Sequence, residues 1–237
     1  MQAAHPSAAS GTVDLPGAPK ATYPTRPAPA ATLRFSVRRG TGLGTAELVW
    51  RRQAEDYSLS LVASGADGWQ LAMASAGAFD AAGLAPHRFT ERRARRSTLA
   101  TNFRRASGEV SFSASPRLVL LREGEQDRLS WLIQLGAIAA ADPAFAVEGA
   151  SIALPVAGLR GESEVWRFDV IGVENVSTSS AIIEALRLHR TGPGGFEPEV
   201  DVWLDPARHH LPVRVSWSNG LAAQALELLL VGMAIEP

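Results

Sequence analysis

The chain has 237 residues, of which 46% are hydrophobic, 20% charged and 7% aromatic, with a formal net charge of −1. Such a composition suits a globular protein with a sizeable core and argues against wholesale disorder, a fibrous repeat or a dedicated, strongly basic nucleic-acid binder. There is no cysteine, which excludes thiol catalysis, disulfides and thiolate-bound metal but leaves the compartment open.

Residues 1–31 are rich in Ala, Pro, Ser, Gly and Thr and show neither strand alternation nor a helical stripe. Spaced prolines keep such a segment extended, so it reads as a disordered Pro/Ala-rich linker. It has no charged start followed by an apolar run, so it is not a signal peptide. A signal or membrane anchor is therefore expected to be missing from this sequence. No stretch reaches the roughly 20 apolar residues needed to span a bilayer as a helix.

From Thr32 onward apolar residues alternate with polar ones. Leu33, Phe35 and Val37 form one run, followed by Ala46, Leu48 and Trp50, then Tyr57, Leu59 and Leu61, then Trp69, Leu71 and Met73. Period two marks half-buried strands, and the breaks carry turn residues such as Arg39-Gly40-Thr41-Gly42 and Gly65-Ala66-Asp67-Gly68. Further runs centre on 88–95, 98–105 and 110–114, with a turn at Ser107-Gly108.

Residues 126–141 interrupt the pattern. No charge falls between Arg128 and Asp142; Leu129, Leu132, Ile133, Gly136 and Ala140 share one helical face, and Trp131, Leu135 and Ile138 cover most of the rest. A helix apolar nearly all round is a buried helix. At about 20 Å it is too short to cross a membrane. Glu123, Glu125 and Asp127 precede it, where the helix dipole favours acids, and Asp142-Pro143 ends it.

Strands resume at 151–156, 164–173, 182–190, 199–204, 212–217 and 222–235, with Asn219-Gly220 as a hairpin signal before the last. The expected fold is mainly β: a strongly curved antiparallel meander or open β-barrel of about twelve strands wrapped around one central helix. Residues 32–237 form a single β-rich envelope domain in this reading.

Several short matches, in order, resemble the domain of unknown function 3108 family of exported proteins of Gram-negative bacteria. They are Phe112-Ser113-Ala114, Gln126-Asp127-Arg128-Leu129-Ser130 with Gln134-Leu135, Val202-Trp203-Leu204 with Pro206, and Leu211-Pro212-Val213-Arg214 leading to Asn219-Gly220. The resemblance spans about residues 32–235. It implies a periplasmic envelope protein carried behind a signal or anchor and a Pro/Ala-rich linker. It brings no activity and no catalytic residues. Many members carry an acid after the Asn-Phe step, where this chain has Arg104 after Asn102-Phe103.

Candidate sites are sparse. His209-His210 follows Asp205, but neighbours in an extended segment point to opposite faces, which suits a polar turn better than metal ligation. Gly42-Leu43-Gly44 and Gly192-Pro193-Gly194-Gly195 open no helix, so no dinucleotide site is expected. No catalytic residue, metal or cofactor is assigned. Lys20 is the only lysine, a bias that genome composition explains more simply than selection for anion contacts.

Residues 86–105 hold seven arginines against Glu91 alone. Arg92, Arg93, Arg95, Arg96, Arg104 and Arg105 are candidates for a basic surface meeting anionic lipid or an acidic partner. A solvated outer face paired with the acidic C-terminal half is the simpler alternative. Arginine on both faces of 88–95 places that strand at an edge, on a wet part of the sheet or running beyond it, with several arginines accessible.

Trp50, Met73, Trp131, Gln134, Trp166 and Trp203 are candidates to line an apolar pocket between sheet and helix; core packing is the competing reading. Gln126, Asp127 and Arg128 are expected to cap and pin the start of the helix. The expected function is that of a non-enzymatic periplasmic protein binding an apolar or lipid-like ligand, as a monomer and without nucleic acid. The alternatives are a structural domain with a packed interior that docks an envelope protein through its arginines, and, third, an unrecognised hydrolase.

Overall fold

A computed structural model of the chain describes residues 22–192, 199–218 and 225–236. The first arm is β1 (Ala31–Arg39), β2 (Gly42–Gln53), β3 (Asp56–Gly65), β4 (Gln70–Asp80), β5 (Gly83–Arg93), β6 (Leu99–Arg104), β7 (Glu109–Phe112) and β8 (Ser115–Leu120). One helix follows, α1 (Ser130–Ala141). The second arm is β9 (Ser151–Ala157), β10 (Ser163–Ser177), β11 (Ile182–Arg190), β12 (Glu199–Asp205), β13 (Leu211–Ser218) and β14 (Leu226–Ile235).

All fourteen strands belong to one sheet in the order β8-β7-β6-β5-β4-β3-β2-β1-β14-β13-β12-β11-β10-β9. Each arm is a hairpin meander, and the arms join where β1 pairs antiparallel with β14. The sheet is not closed, because β8 and β9 are its edges. A bare edge exposes unpaired N–H and C=O groups. Gln126 covers part of β9: its N–H donates to the Pro155 carbonyl at 2.8 Å, and the Ala157 N–H donates to the Gln126 carbonyl at 2.8 Å.

The expected strands, about twelve, become fourteen among the described residues. The alternation in 115–120 is broken by Pro116 and Arg117, and this hides β8. β5 begins at Gly83, well before the arginines that marked it, and lies inside the sheet between β4 and β6 rather than at an edge. Its inward positions hold Phe89 and Glu91, while Arg92 and Arg93 reach solvent at its end. The Asn219-Gly220 turn and residues 193–195 lie outside the described residues.

The helix begins later than residue 126 because Gln126 is spent on the β9 bridge. Eleven of its residues, Ser130 through Ala140, are buried. Trp131 stacks on Phe168 of β10 at 5.2 Å. Gln134 accepts from the Leu84 N–H of β5 at 2.9 Å and donates to the Ala82 carbonyl at 2.6 Å. Gly136 faces the backbone before β13: a Cβ there would lie 2.5 Å from the His210 carbonyl oxygen. One short helix reaching partners so far apart in the strand order requires a curved sheet.

Of the linker expected over 1–31, residues 1–21 lie outside the described residues. Residues 22–30 run over the molecule without regular structure yet are tied to it. Tyr23 is buried, packs edge-on against Phe145 at 5.1 Å and accepts from the Ala153 N–H at 3.0 Å. The Arg26 N–H donates to the Ala137 carbonyl, and its guanidinium donates to that of Ala140. Trp50 Nε1 donates to the Ala28 carbonyl at 3.0 Å.

Candidate ligand-binding mouth

The strand register gives the sheet two ends with different chemistry. At one end lie the turns after β1, β3, β5 and β9, the last residues of β11 and β13, and the first of β14. Three neighbouring cavities of about 610, 250 and 200 Å³ open there. They share Arg128, which stands just before α1 and lines all three.

The 250 Å³ cavity has an apolar wall of Leu71, Met73, Trp69, Trp166, Trp217 and Leu226. The largest is rimmed by Arg93, Arg96, Arg128 and Arg160, with Leu99 and Leu159 between them. In the smallest, Arg190 lies over the Trp166 ring at 4.3 Å. Across the three, six arginines meet three glutamates. Glu91 is held by Arg93 at 2.7 Å, and Glu162 accepts from the Leu159 and Arg160 backbone N–H groups at 2.9 Å.

The pocket candidates divide. Met73 and Trp166 line the mouth. Trp50 is fully buried against Tyr57 and Phe79 and lines no large cavity. Trp131 is 1% exposed behind Trp166, so it backs the wall without lining it. Gln134 is consumed by β5 and touches only a void of about 10 Å³. Trp203 faces away from the interior, because Val202 and Leu204 beside it take the inward positions. Its ring lies between Arg187 at 5.3 Å and Arg214 at 4.4 Å, and its Nε1 donates to Glu174 at 2.9 Å. That bond, seconded by Arg187, holds the Glu174 carboxyl below its usual range. Trp50, Trp131 and Gln134 fill the space around them between sheet and helix; the cavities that share Arg128 lie at the end of the sheet, and a further open hollow of about 390 Å³ lies between β8 and the start of β10. Trp69 and Trp217 were legible as strand aromatics but carried no mark of the mouth.

The arginine cluster also divides. Arg92, Arg93, Arg95 and Arg96 stand at the mouth end, all exposed. Arg104 ends β6 and Arg105 follows it at the opposite end, where Arg105 pairs with Asp80 at 3.3 Å. A hairpin strand separates residues close in sequence by the length of the sheet.

The helix start behaves as a pin. Asp127 is fully buried; its Oδ1 accepts from the Leu129 and Ser130 N–H groups at 2.8 Å. Ser75 Oγ of β4 donates to its other oxygen and contacts the Tyr57 hydroxyl at 3.0 Å. Burial raises the Asp127 pKa to about 6, against these donors. Arg128 makes no ion pair with Asp127. Beyond β12, His209 and His210 both adopt left-handed backbone, with φ of 56° and 55°. Among the described residues no three His, Asp or Glu side chains are grouped to hold a metal ion.

A family model described as "Protein of unknown function (DUF3108)" matches residues 32–220. The chain belongs to that family. No curated protein matches it. Among solved structures it is similar to a β-barrel-like protein of domain of unknown function DUF1849 from Brucella abortus, with TM-score 0.57 and 10% identity over 89% of this chain and 99% of that one. That likeness concerns the fold alone.

Proposed function

We propose that this protein is a non-catalytic envelope protein of the Gram-negative periplasm that binds a lipid-like ligand at the mouth. In this reading the curved sheet forms a shell around α1, and the site is the open end of the shell. One observation carries the proposal: apolar side chains, three of them Trp, wall a cavity that adjoins a larger one and shares Glu91, Arg93 and Arg128 with it. Together the two fall in the size range of small-molecule sites. The compartment rests on the family's exported members and the Pro-rich segment at 1–31. No catalytic step is assigned, because Asp127, Ser75 and Tyr57 are buried and joined to one another.

Native mass spectrometry of protein extracted gently from bacterial envelopes tests this. The expected result is a bound species of lipid mass, lost when Met73→Arg fills the apolar wall with charge. A bare protein mass under conditions that preserve known lipid carriers overturns it. The filled space around α1 favours a second reading, a structural domain docking an acidic envelope protein through its arginines. A lipid-free protein that crosslinks to such a partner through the Arg92–Arg96 turn selects that reading.

A further inference from the structure

We infer that the ligand of the mouth is an anionic amphiphile, a single hydrocarbon chain ending in a phosphate or carboxylate, and that Arg128 is the residue that anchors its head. This rests on the reading of the mouth as a binding site and adds the ligand's charge and orientation.

The argument begins with Arg128. It is half-buried, and its guanidinium has no hydrogen bond or ion pair with any described residue. A guanidinium presents five N–H donors in a planar fork and is costly to remove from water unpaired. Elsewhere on this protein half-buried arginines are matched: Arg187 meets Glu174 and Asp201 at 2.9 Å, and Arg214 meets Glu227. Arg128 instead opens onto all three cavities. Arg96 and Arg160, on the rim of the largest, likewise have no side-chain partner among the described residues.

The acids of the three cavities are outnumbered two to one by arginines. Glu91 is taken by Arg93, Glu162 by backbone N–H groups of its own turn, and Glu164 shares the smallest cavity with Arg128 and Arg190. A chain of net charge −1 therefore concentrates positive charge in one concave site. Clefts of one sign focus the field and draw in ligands of the other. Guanidinium forks match phosphate and carboxylate oxygens in pairs.

Beside the charged compartment stands the apolar one. Trp69, Met73, Trp166 and Trp217 line it, and Arg128 lies on the boundary of both. An anion alone leaves the tryptophans in water, and a neutral lipid leaves Arg128 unmatched. Only a molecule with both parts satisfies both compartments. Its head lies among Arg93, Arg96, Arg128 and Arg160, and its tail against the tryptophans.

Titrations followed by tryptophan fluorescence test this, with dodecyl phosphate, monododecanoyl glycerol and inorganic phosphate as probes below their micellar concentrations. Dodecyl phosphate is expected to bind at least about tenfold more tightly than the neutral monoglyceride, and inorganic phosphate more weakly than either. Arg128→Gln should weaken dodecyl phosphate by about tenfold or more and leave the monoglyceride unchanged, as expected for a lost charge-assisted contact. Should that variant fail to fold, Arg96→Gln with Arg160→Gln on the exposed rim makes the same distinction. Arg104→Gln, at the far end of the sheet, should change nothing. Equal affinity for the two amphiphiles, unaffected by Arg128→Gln, overturns the anionic head and leaves the mouth as an apolar site. Phosphate binding as tightly as dodecyl phosphate removes the tail from the proposal. Absence of binding by either amphiphile overturns the mouth itself.

Discussion

Asp127 shows what a single residue does here. Its carboxylate gathers the helix start, β4 and, through Ser75, Tyr57 of β3 into one buried network. Burial also raises the Tyr57 pKa, and the Asp127 charge adds to that. Asp127 itself moves from 3.8 to about 6. An acid with a raised folded-state pKa holds its proton more tightly when folded. Its contribution therefore favours folding below the unfolded value and is lost as pH rises through 6. Asp127→Asn keeps an oxygen for the two backbone donors and removes the titration. Relative to the wild type, this variant should gain stability between about pH 4 and pH 7, by an amount on the order of 2–3 kcal/mol. Melting temperatures of both proteins across that range check it, and a difference that ignores pH refutes the assignment. The sequence showed Asp127 as a cap but not its partner Ser75, because a lone serine in an alternating strand looks like any outward polar residue.

At the scale of elements, periodicity made most of the strands and the helix legible, since each buries one face or all of itself. What it missed lacked a period. β8 is short and broken by Pro116, and the segment 22–30 is held by single anchors, Tyr23, Arg26 and Ala28, rather than by a repeating face. Arg26 meets the carbonyls at the end of α1, where a cation also complements the helix dipole. Arg26→Ala is expected to lower stability by about 1 kcal/mol, read from urea unfolding, whereas a true linker residue would show no change. Within α1, Leu132 is 3% exposed. Leu132→Ala should cost roughly 2–5 kcal/mol, as for other buried leucines, and a loss near the surface value of about 0.5 kcal/mol would place the helix outside the core. Gly136→Ala should also destabilise, because a methyl there meets the backbone of His210 rather than a movable side chain.

For the whole molecule, the decisive contact is the one furthest apart in sequence. β1 pairs with β14 from Ala31↔Ile235 to Arg39↔Leu226, and among the described residues this is the one strand pairing that joins the two meanders. Alternation within a strand says which face is buried but not which distant strand lies beside it, so neither this junction nor the mouth it helps to frame could be read in advance. The same limit explains the arginines: a cluster in sequence became two groups at opposite ends once the chain turned back at β5 and β6. Removing residues 226–237 would expose the β1 and β13 ladders together in the middle of the sheet. It would also remove Leu228 and Leu230 from the core and Glu227 from between Arg38 and Arg214. Each half-sheet would then be left with a bare edge and a core open on one side, a state with no compensating contact. The truncated chain should therefore lose its single cooperative thermal transition by circular dichroism and bind a hydrophobic dye such as ANS. Retention of one sharp transition within a few degrees of the full chain would show that the meanders are held together through α1 instead, and that β14 is a dispensable strand on a shell already complete.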